Sequence, residues 1–217
     1  VEVKTGDVTS FVTSEKVVMA VGRRANLDSL DLNKLNINLN EKKNGIEVDE
    51  FMRTNRPNVY AIGDVTNKMQ LAHVASHQGI VAADHILGLN SPMHYDTVPS
   101  VIFTSPEAGL VGLTEKEAKI KGIDYLTGKF PFAANGKAQT MGETKGFVKL
   151  IADKSTRKII GGCVVGIHAS DLISTISNLI ASGINIDEAS HVIYAHPTVS
   201  ESIHETILGL DGKGIHF

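Results

Sequence analysis

Two apolar runs, GFVKLIAD (146–153) and KIIGGCVVG (158–166), flank the short polar stretch KSTRK. Segments of this length, rich in β-branched residues and closed by a turn, read as neighbouring antiparallel strands, and YLTGKFPFA (125–133) supplies a third. The segment SDLISTISNLIASG (170–183) follows with the other period: Leu172, Ile173, Ile176, Leu179 and Ile180 recur at helical spacing, and Gly183 ends the run. A strand at SVIFT (100–104), a turn at Pro106 and a helix opening at TEKEAK precede them. Thr114 and Glu117 have the spacing of a capping box there. A last helix is expected from Thr198 to Gly209, with Val199, Ile203 and Ile207 on one face. The expected architecture is an antiparallel sheet with helices.

The segment LNSPMHYDTVPS (89–100) is the best boundary between this part and what precedes it. The earlier part opens in mid-meander. Val1 and Val3 alternate up to a turn at TGD, a strand lies near Val8 to Val12, and a further turn leads into VVMAVG, a run of the buried type. A chain that starts inside a β meander is expected to be a piece of a larger protein. Residues Leu27 to Asn44 carry only weak periodicity, GIEVD (45–49) reads as a short strand, and VYAI runs into Gly63 and Asp64. A helix is expected from Leu71 to Leu87, with Leu71, Val74, Ala75, Val81, Ala82 and Ile86 available for burial and Gly88 as its stop. No internal repeat or low-complexity tract occurs.

With 217 residues, 42% of them hydrophobic, the chain is long enough for one large or two ordinary cores. A net charge of -3 with no basic tract argues against nucleic acid or an anionic membrane as the main partner. No apolar run reaches the roughly 18 residues of a membrane span, and the first residues lack the pattern of a signal peptide, so a soluble protein of the cell interior is expected. Cys163 is the single cysteine, which excludes a disulfide or thiolate cluster formed within the chain.

Few residues carry chemistry. VYAIGD resembles the end of a parallel strand, where Asp64 would accept hydrogen bonds from ligand hydroxyls; from the dipeptide alone an ordinary Gly-Asp turn is the favoured account. His73, His77 and Asp84 share one helix, but neither an H-E-x-x-H arrangement nor a nearby cysteine completes a metal set, and no metal is expected. Gly161, Gly162 and Gly166 suggest close backbone approach or a bulge, and Cys163 among them reads as a small buried hydrophobe. The stretch AHPTVSE places His196 before a proline, itself a candidate cis bond, and five residues before Glu201. Glu201 either closes a helical turn with Thr198 or holds the imidazole in the orientation and tautomer of a general acid or base. A free imidazole titrates near pH 6.5, so it exchanges protons readily at neutral pH.

VGRRAN, VYAIGDV, LAHVASHQG, PSVIFTSPEAGLVGLTEKEAK and AHPTVSE occur in the order found in the flavin-dependent pyridine nucleotide-disulfide oxidoreductases. The chain resembles the C-terminal half of the dihydrolipoyl dehydrogenases in that family, over essentially its whole length. The resemblance implies three parts: the last strands of an NAD-binding domain (1–21), a portion of the FAD or central domain (22–90), and an interface domain (91–217) through which two subunits pair. It implies an α/β and α+β fold that includes the end of a Rossmann-like domain. FAD would meet Asp64 and the helix start at Met69, Gln70, Leu71, Ala72 and His73, with Gly22 on the NAD side. His196 would be the base and Glu201 its orienting carboxylate, acting across the dimer on dihydrolipoamide. Electrons would then pass through a disulfide and FAD to NAD+. The partners implied are a second subunit and the lipoyl groups of a 2-oxoacid dehydrogenase complex or glycine cleavage system, in a bacterial cytoplasm or mitochondrial matrix. Tyr194 stands where many members carry a further histidine. The chain has no C-x-x-x-x-C pair and no dinucleotide fingerprint, so by itself it is expected to be inactive, with FAD and NAD both needing a further half. The alternatives are a glutathione-reductase-like enzyme and a non-catalytic dimerisation module.

Overall fold

Polar residues alternate with Val1 and Val3 up to Gly6 and Asp7, where the chain reverses. Strand β1 (Glu2–Thr5) pairs antiparallel with β2 (Val8–Phe11), from Glu2 opposite Phe11 to Thr5 opposite Val8. The computed structural model describes residues 1–216, and the chain divides into two units, Val1–Ser91 and one that begins at Pro92.

In the first unit the run expected to be buried, Val17 to Val21, joins no strand, and Val18 is 88% exposed. A buried strand needs neighbours for its backbone groups and a layer on each face, and among the described residues no strand pairs with this run. One turn of helix, α1 (Leu32–Leu35), begins where the Asp31 carboxylate accepts the Lys34 amide at 3.1 Å. GIEVD forms no strand either. Ile46 and Val48 are buried as its pattern requires, but the Ile46 amide donates to the Val65 carbonyl at 2.8 Å and the Glu47 amide to that of Asn38 at 3.0 Å. A Cβ at Gly45 would stand 2.4 Å from the Thr66 carbonyl oxygen, so only glycine permits this approach.

Tyr60 to Ile62 makes one antiparallel bridge, between Arg53 and Tyr60, instead of ending a parallel strand. The chain then turns through a 3-10 helix, Gly63–Thr66, which carries Asp64. Helix α2 (Ala72–Ile86) buries Val74, Gln78, Val81 and Ala82, whereas Ile86 is exposed. Gly88 stops it with φ +83: its amide reaches the His85 carbonyl and the Leu89 amide that of Asp84, which satisfies two terminal carbonyls.

The second unit is built on strands β3 (Ser100–Ile102) and β4 (Ala108–Gly112), helix α3 (Glu115–Ile120), strand β5 (Tyr125–Pro131), helix α4 (Gly136–Met141), and strands β6 (Phe147–Asp153) and β7 (Ile159–Val165). Helices α5 (Ala169–Ser182), α6 (Ile186–Ser190) and α7 (Glu201–Gly209) follow. The sheet is antiparallel throughout, in the order β3-β4-β7-β6-β5. The expected capping box of Thr114 and Glu117 is present. Helix α7 starts three residues later than its sequence pattern suggests, because Val199 and Ser200 form a separate turn ahead of it.

Alternation along β6 sets the core. Val148, Leu150 and Ala152 are fully buried, and with Val164 they form one cluster with Ile173 and Ile176 of α5 and Ile203 and Ile207 of α7. Burying each large aliphatic contributes about 1.5–3 kcal/mol. The glycines of β7 allow the helix this close: a Cβ on Gly162 would lie 2.8 Å from Leu150 and 3.1 Å from Ile176. A register irregularity falls at Ile151 and Ala152, where β6 meets β7.

Arg157, in a left-handed conformation (φ +58) at the β6–β7 turn, ties distant parts together. It donates to both Asp187 oxygens at 2.9 and 3.0 Å and to Asp211 at 2.6 Å, and these bonds raise its already high pKa.

Replacing Ile176 with Ala should lower unfolding stability by about 2–5 kcal/mol. Ile80→Ala, at an exposed position of α2, should change it by less than about 0.5 kcal/mol. Urea unfolding of the two variants measures the contrast.

Candidate active site

His196 stands in a loop fixed from three sides. Val199 is buried in the core cluster, the Asn135 side-chain amide donates to the Thr198 carbonyl at 3.1 Å, and the Thr198 hydroxyl donates to the Ala195 carbonyl at 2.7 Å. The His196–Pro197 bond is cis. Glu201, first residue of α7, divides its carboxylate between two donors: Oε2 accepts the Thr198 amide at 2.8 Å, and Oε1 pairs with His196 Nδ1 at 2.9 Å. The capping box expected of Thr198 and Glu201 is therefore only half made. The Thr198 hydroxyl is turned to Ala195 and Ser200 and does not receive the Glu201 amide.

Burial works to raise the Glu201 carboxyl, but the Thr198 amide, the His196 hydrogen bond and the nearby His196 and His216 imidazoles outweigh it and hold the group below the usual carboxylate range. An ionised carboxylate only accepts, so Nδ1 of His196 carries the proton in this pair and the neutral ring keeps its lone pair on Nε2. The His196 side chain is 79% exposed, so that nitrogen is open to a reactant. The arrangement can take a proton at Nε2 and stabilise the resulting imidazolium through Glu201.

Tyr194 stacks on His204, with ring centroids 5.2 Å apart, and burial pushes its phenol up. His204 Nε2 lies 3.0 Å from the Ser190 carbonyl. One turn beyond Glu201, Glu205 pairs with His216 Nδ1 at 2.6 Å. Sequence reading missed both Asn135 and this second pair. The spacing of Glu201 and Glu205, four residues apart on one helix with a histidine beyond it, was the available signal for the pair.

In the first unit, Asp64 pairs with Arg23 at 2.6 Å, and the turn that bears it is fastened to α2 by the Gly63 amide, which donates to Gln78 Oε1 at 2.6 Å. Met69 and Gln70 lead into Leu71, which occupies the N-cap of α2 without a side-chain cap; Ala72 and His73 open the helix. Gln70 has a buried Nε2 with no hydrogen-bond partner. Gly22 is exposed, with φ +129 and no atom near its Cα side, and it is the adjoining Arg23 that reaches Asp64. Among the described residues no group of three His, Cys, Asp or Glu side chains is placed to hold a metal, and His73, His77 and Asp84 form no such set. Cys163 is half-buried, not buried; burial pushes its thiol up against the pull of Lys149 and Lys129.

Residues 98–207 match the model of the pyridine nucleotide-disulphide oxidoreductase dimerisation domain, and residues 1–79 that of the pyridine nucleotide-disulphide oxidoreductases. The chain belongs to this family. A dihydrolipoyl dehydrogenase of Bacillus subtilis (strain 168) is 44% identical over 216 residues, covering 99% of this chain and 45% of that protein. The dihydrolipoyl dehydrogenase of Chlamydia muridarum is 46% identical over 88% of this chain and 41% of its own length. The chain thus spans about half the length of the curated relatives it matches. Among solved structures, LpdA from Mycobacterium tuberculosis superposes with a TM-score of 0.82 at 34% identity, over 88% of this chain and 41% of that one. The flavoprotein disulfide reductase RclA from Escherichia coli gives 0.82 at 26% identity, over 95% and 47%. No helix among the described residues is long and apolar enough to cross a membrane.

Asn135 is 4% exposed and also caps α4 through the Ala138 amide at 2.8 Å. Asn135→Ala should cost about 1–2 kcal/mol. It should also speed amide hydrogen exchange at Ala138 and at Thr198 to Glu201 together, read by mass spectrometry.

Proposed function

We propose that this chain is the His/Glu-bearing portion of a dihydrolipoyl dehydrogenase, in which His196 is the proton acceptor and Glu201 its orienting carboxylate. The observation that carries the reading is the division of Glu201 between Thr198 and His196, which leaves Nε2 of the imidazole open. Nε2 removes the proton of a dihydrolipoyl thiol, and the Glu201 carboxylate balances the imidazolium that forms. The thiolate is then competent for exchange with a disulfide. The half-buried Cys163, its thiol pushed up, is unsuited to that partner role. The reacting disulfide lies in this reading outside the present sequence, on a second subunit paired through 91–217.

Family membership implies FAD and NAD, and the first unit offers groups that suit a flavin. The uncapped N-terminus of α2 favours an electronegative edge, the orphaned Gln70 Nε2 can donate to an acceptor, and Asp64 can accept from hydroxyls. Asp64 and Met69 to His73 would hold the cofactor, with Gly22 on the NAD side, and Arg23 would neutralise Asp64 when no ligand does. Bound flavin supplies a two-electron acceptor between the dithiol and NAD+. The parts expected at 1–21, 22–90 and 91–217 belong to the same reading, as do the lipoyl groups of a 2-oxoacid dehydrogenase complex or glycine cleavage system and a site in the bacterial cytoplasm or mitochondrial matrix.

In the full-length enzyme, His196→Gln should slow flavin reduction by dihydrolipoamide about 10²- to 10⁴-fold in stopped-flow measurements, the range of a lost general base. A wild-type rate and pH profile would overturn the assignment. Glu201→Gln should act in the same direction and less strongly, and turnover with dihydrolipoamide should exceed reduction of oxidised glutathione.

A further inference from the structure

Glu205 is 6% exposed, yet its carboxylate faces three donors from the segment that follows α7. The Ile215 amide donates at 2.9 Å and the His216 amide at 3.3 Å to Oε2, while His216 Nδ1 pairs with Oε1 at 2.6 Å. Burial works to raise this carboxyl, but the His216 ring and the two amides outweigh it, so Glu205 stays ionised. A buried carboxylate with this many donors from one short segment is an anchor for that segment.

The anchored segment brings a second imidazole to the candidate site. Glu201 and Glu205 lie one helical turn apart on α7, so the histidine that Glu205 holds stands one turn from the carboxylate that His196 uses. Other charged groups on α7 and on the elements packed against it are engaged elsewhere: His204 with the Ser190 carbonyl and Tyr194, Asp211 with Arg157 and Lys213, Lys149 with Glu115, Lys129 with the Phe147 ring and Asp153 with Ser155. Glu201 has one oxygen for Thr198 and one for His196, and a further charged donor would compete with His196 for Oε1.

We propose that Glu205 is a positioning residue for the His196–Glu201 pair: by holding His216 through Nδ1 and two backbone amides, it keeps this second imidazole off Glu201, which then serves His196 alone. Two carboxylates one helical turn apart each take one histidine, and the separation of the two pairs keeps the orientation of His196 single. The proposal rests on the reading of His196 as the proton acceptor.

The test uses the full-length enzyme and follows flavin reduction by dihydrolipoamide from pH 5.5 to 9, a range of about the usual histidine titration and beyond. Glu205→Gln retains an acceptor for the amides but loses the charge that holds His216. Its rate near neutral pH should fall about tenfold, as when one charge-assisted hydrogen bond is shared between two donors, with the acid limb of the profile displaced and the dihydrolipoamide affinity unchanged. Adding His216→Asn, which removes the competing imidazole, should restore the rate and the limb. His216→Asn alone should behave as wild type, and it keeps the proposal testable if Glu205→Gln fails to fold. A Glu205→Gln profile that superposes on wild type, a double variant as impaired as the single one, or a His216→Asn rate as low as that of His196→Gln would each overturn the proposal. His196→Gln measured alongside separates the two levels: an unimpaired His196→Gln removes the reading itself, whereas an impaired one beside an unaltered Glu205→Gln removes only the role of Glu205.

Discussion

The hydrogen bond from the Thr198 amide to one oxygen of Glu201 governs both where α7 begins and where His196 stands. With that oxygen committed to the backbone, the carboxylate plane is set and its second oxygen can meet only what the preceding loop delivers, which is Nδ1 of His196. The helix that follows carries Ile203 and Ile207 into the core, so the orientation of one exposed imidazole is transmitted from the packing of the sheet. Helix capping and imidazole orientation are performed by the same side chain, through different atoms.

The sheet can impose that orientation because its strands and helices are closely interlocked. Gly162 leaves room for the Ile176 side chain of α5 against β7, and Arg157 fixes the tip of the β6–β7 hairpin against α6 and the residues just past α7. Asn135 adds a direct link from the start of α4 to the His196 loop. In the proposed reading the reacting partner of His196 comes from another molecule, and such rigidity suits that role, because half of the geometry must exist before the other half arrives.

Strands β5, β6 and β7 and helix α5 were legible because their apolar residues recur with the period of a strand or a helix, whereas β4, α4 and α6 are too short to show one. The His196–Glu201 pairing was legible from spacing, with two readings open, and Glu201 is bonded both to the Thr198 amide and to His196. The first unit was harder. VVMAV and VYAI have the composition of sheet strands but find no strand to join among the described residues, since a strand needs neighbours that local composition does not supply. Asn135 was not legible because its partner Thr198 lies 63 residues away, beyond any local pattern, whereas the Glu205–His216 pair, 11 residues apart, left only the four-residue spacing of Glu201 and Glu205 as a sign.

Arg157 has a consequence for how the second unit comes apart. Its guanidinium joins positions separated by 30 and by 54 residues, at the hairpin tip, the start of α6 and the residues just past α7. These three places share no strand and no helix, yet none can open without releasing the same side chain. Local opening at any of the three breaks a charge-assisted bond to Arg157, so one side chain couples them.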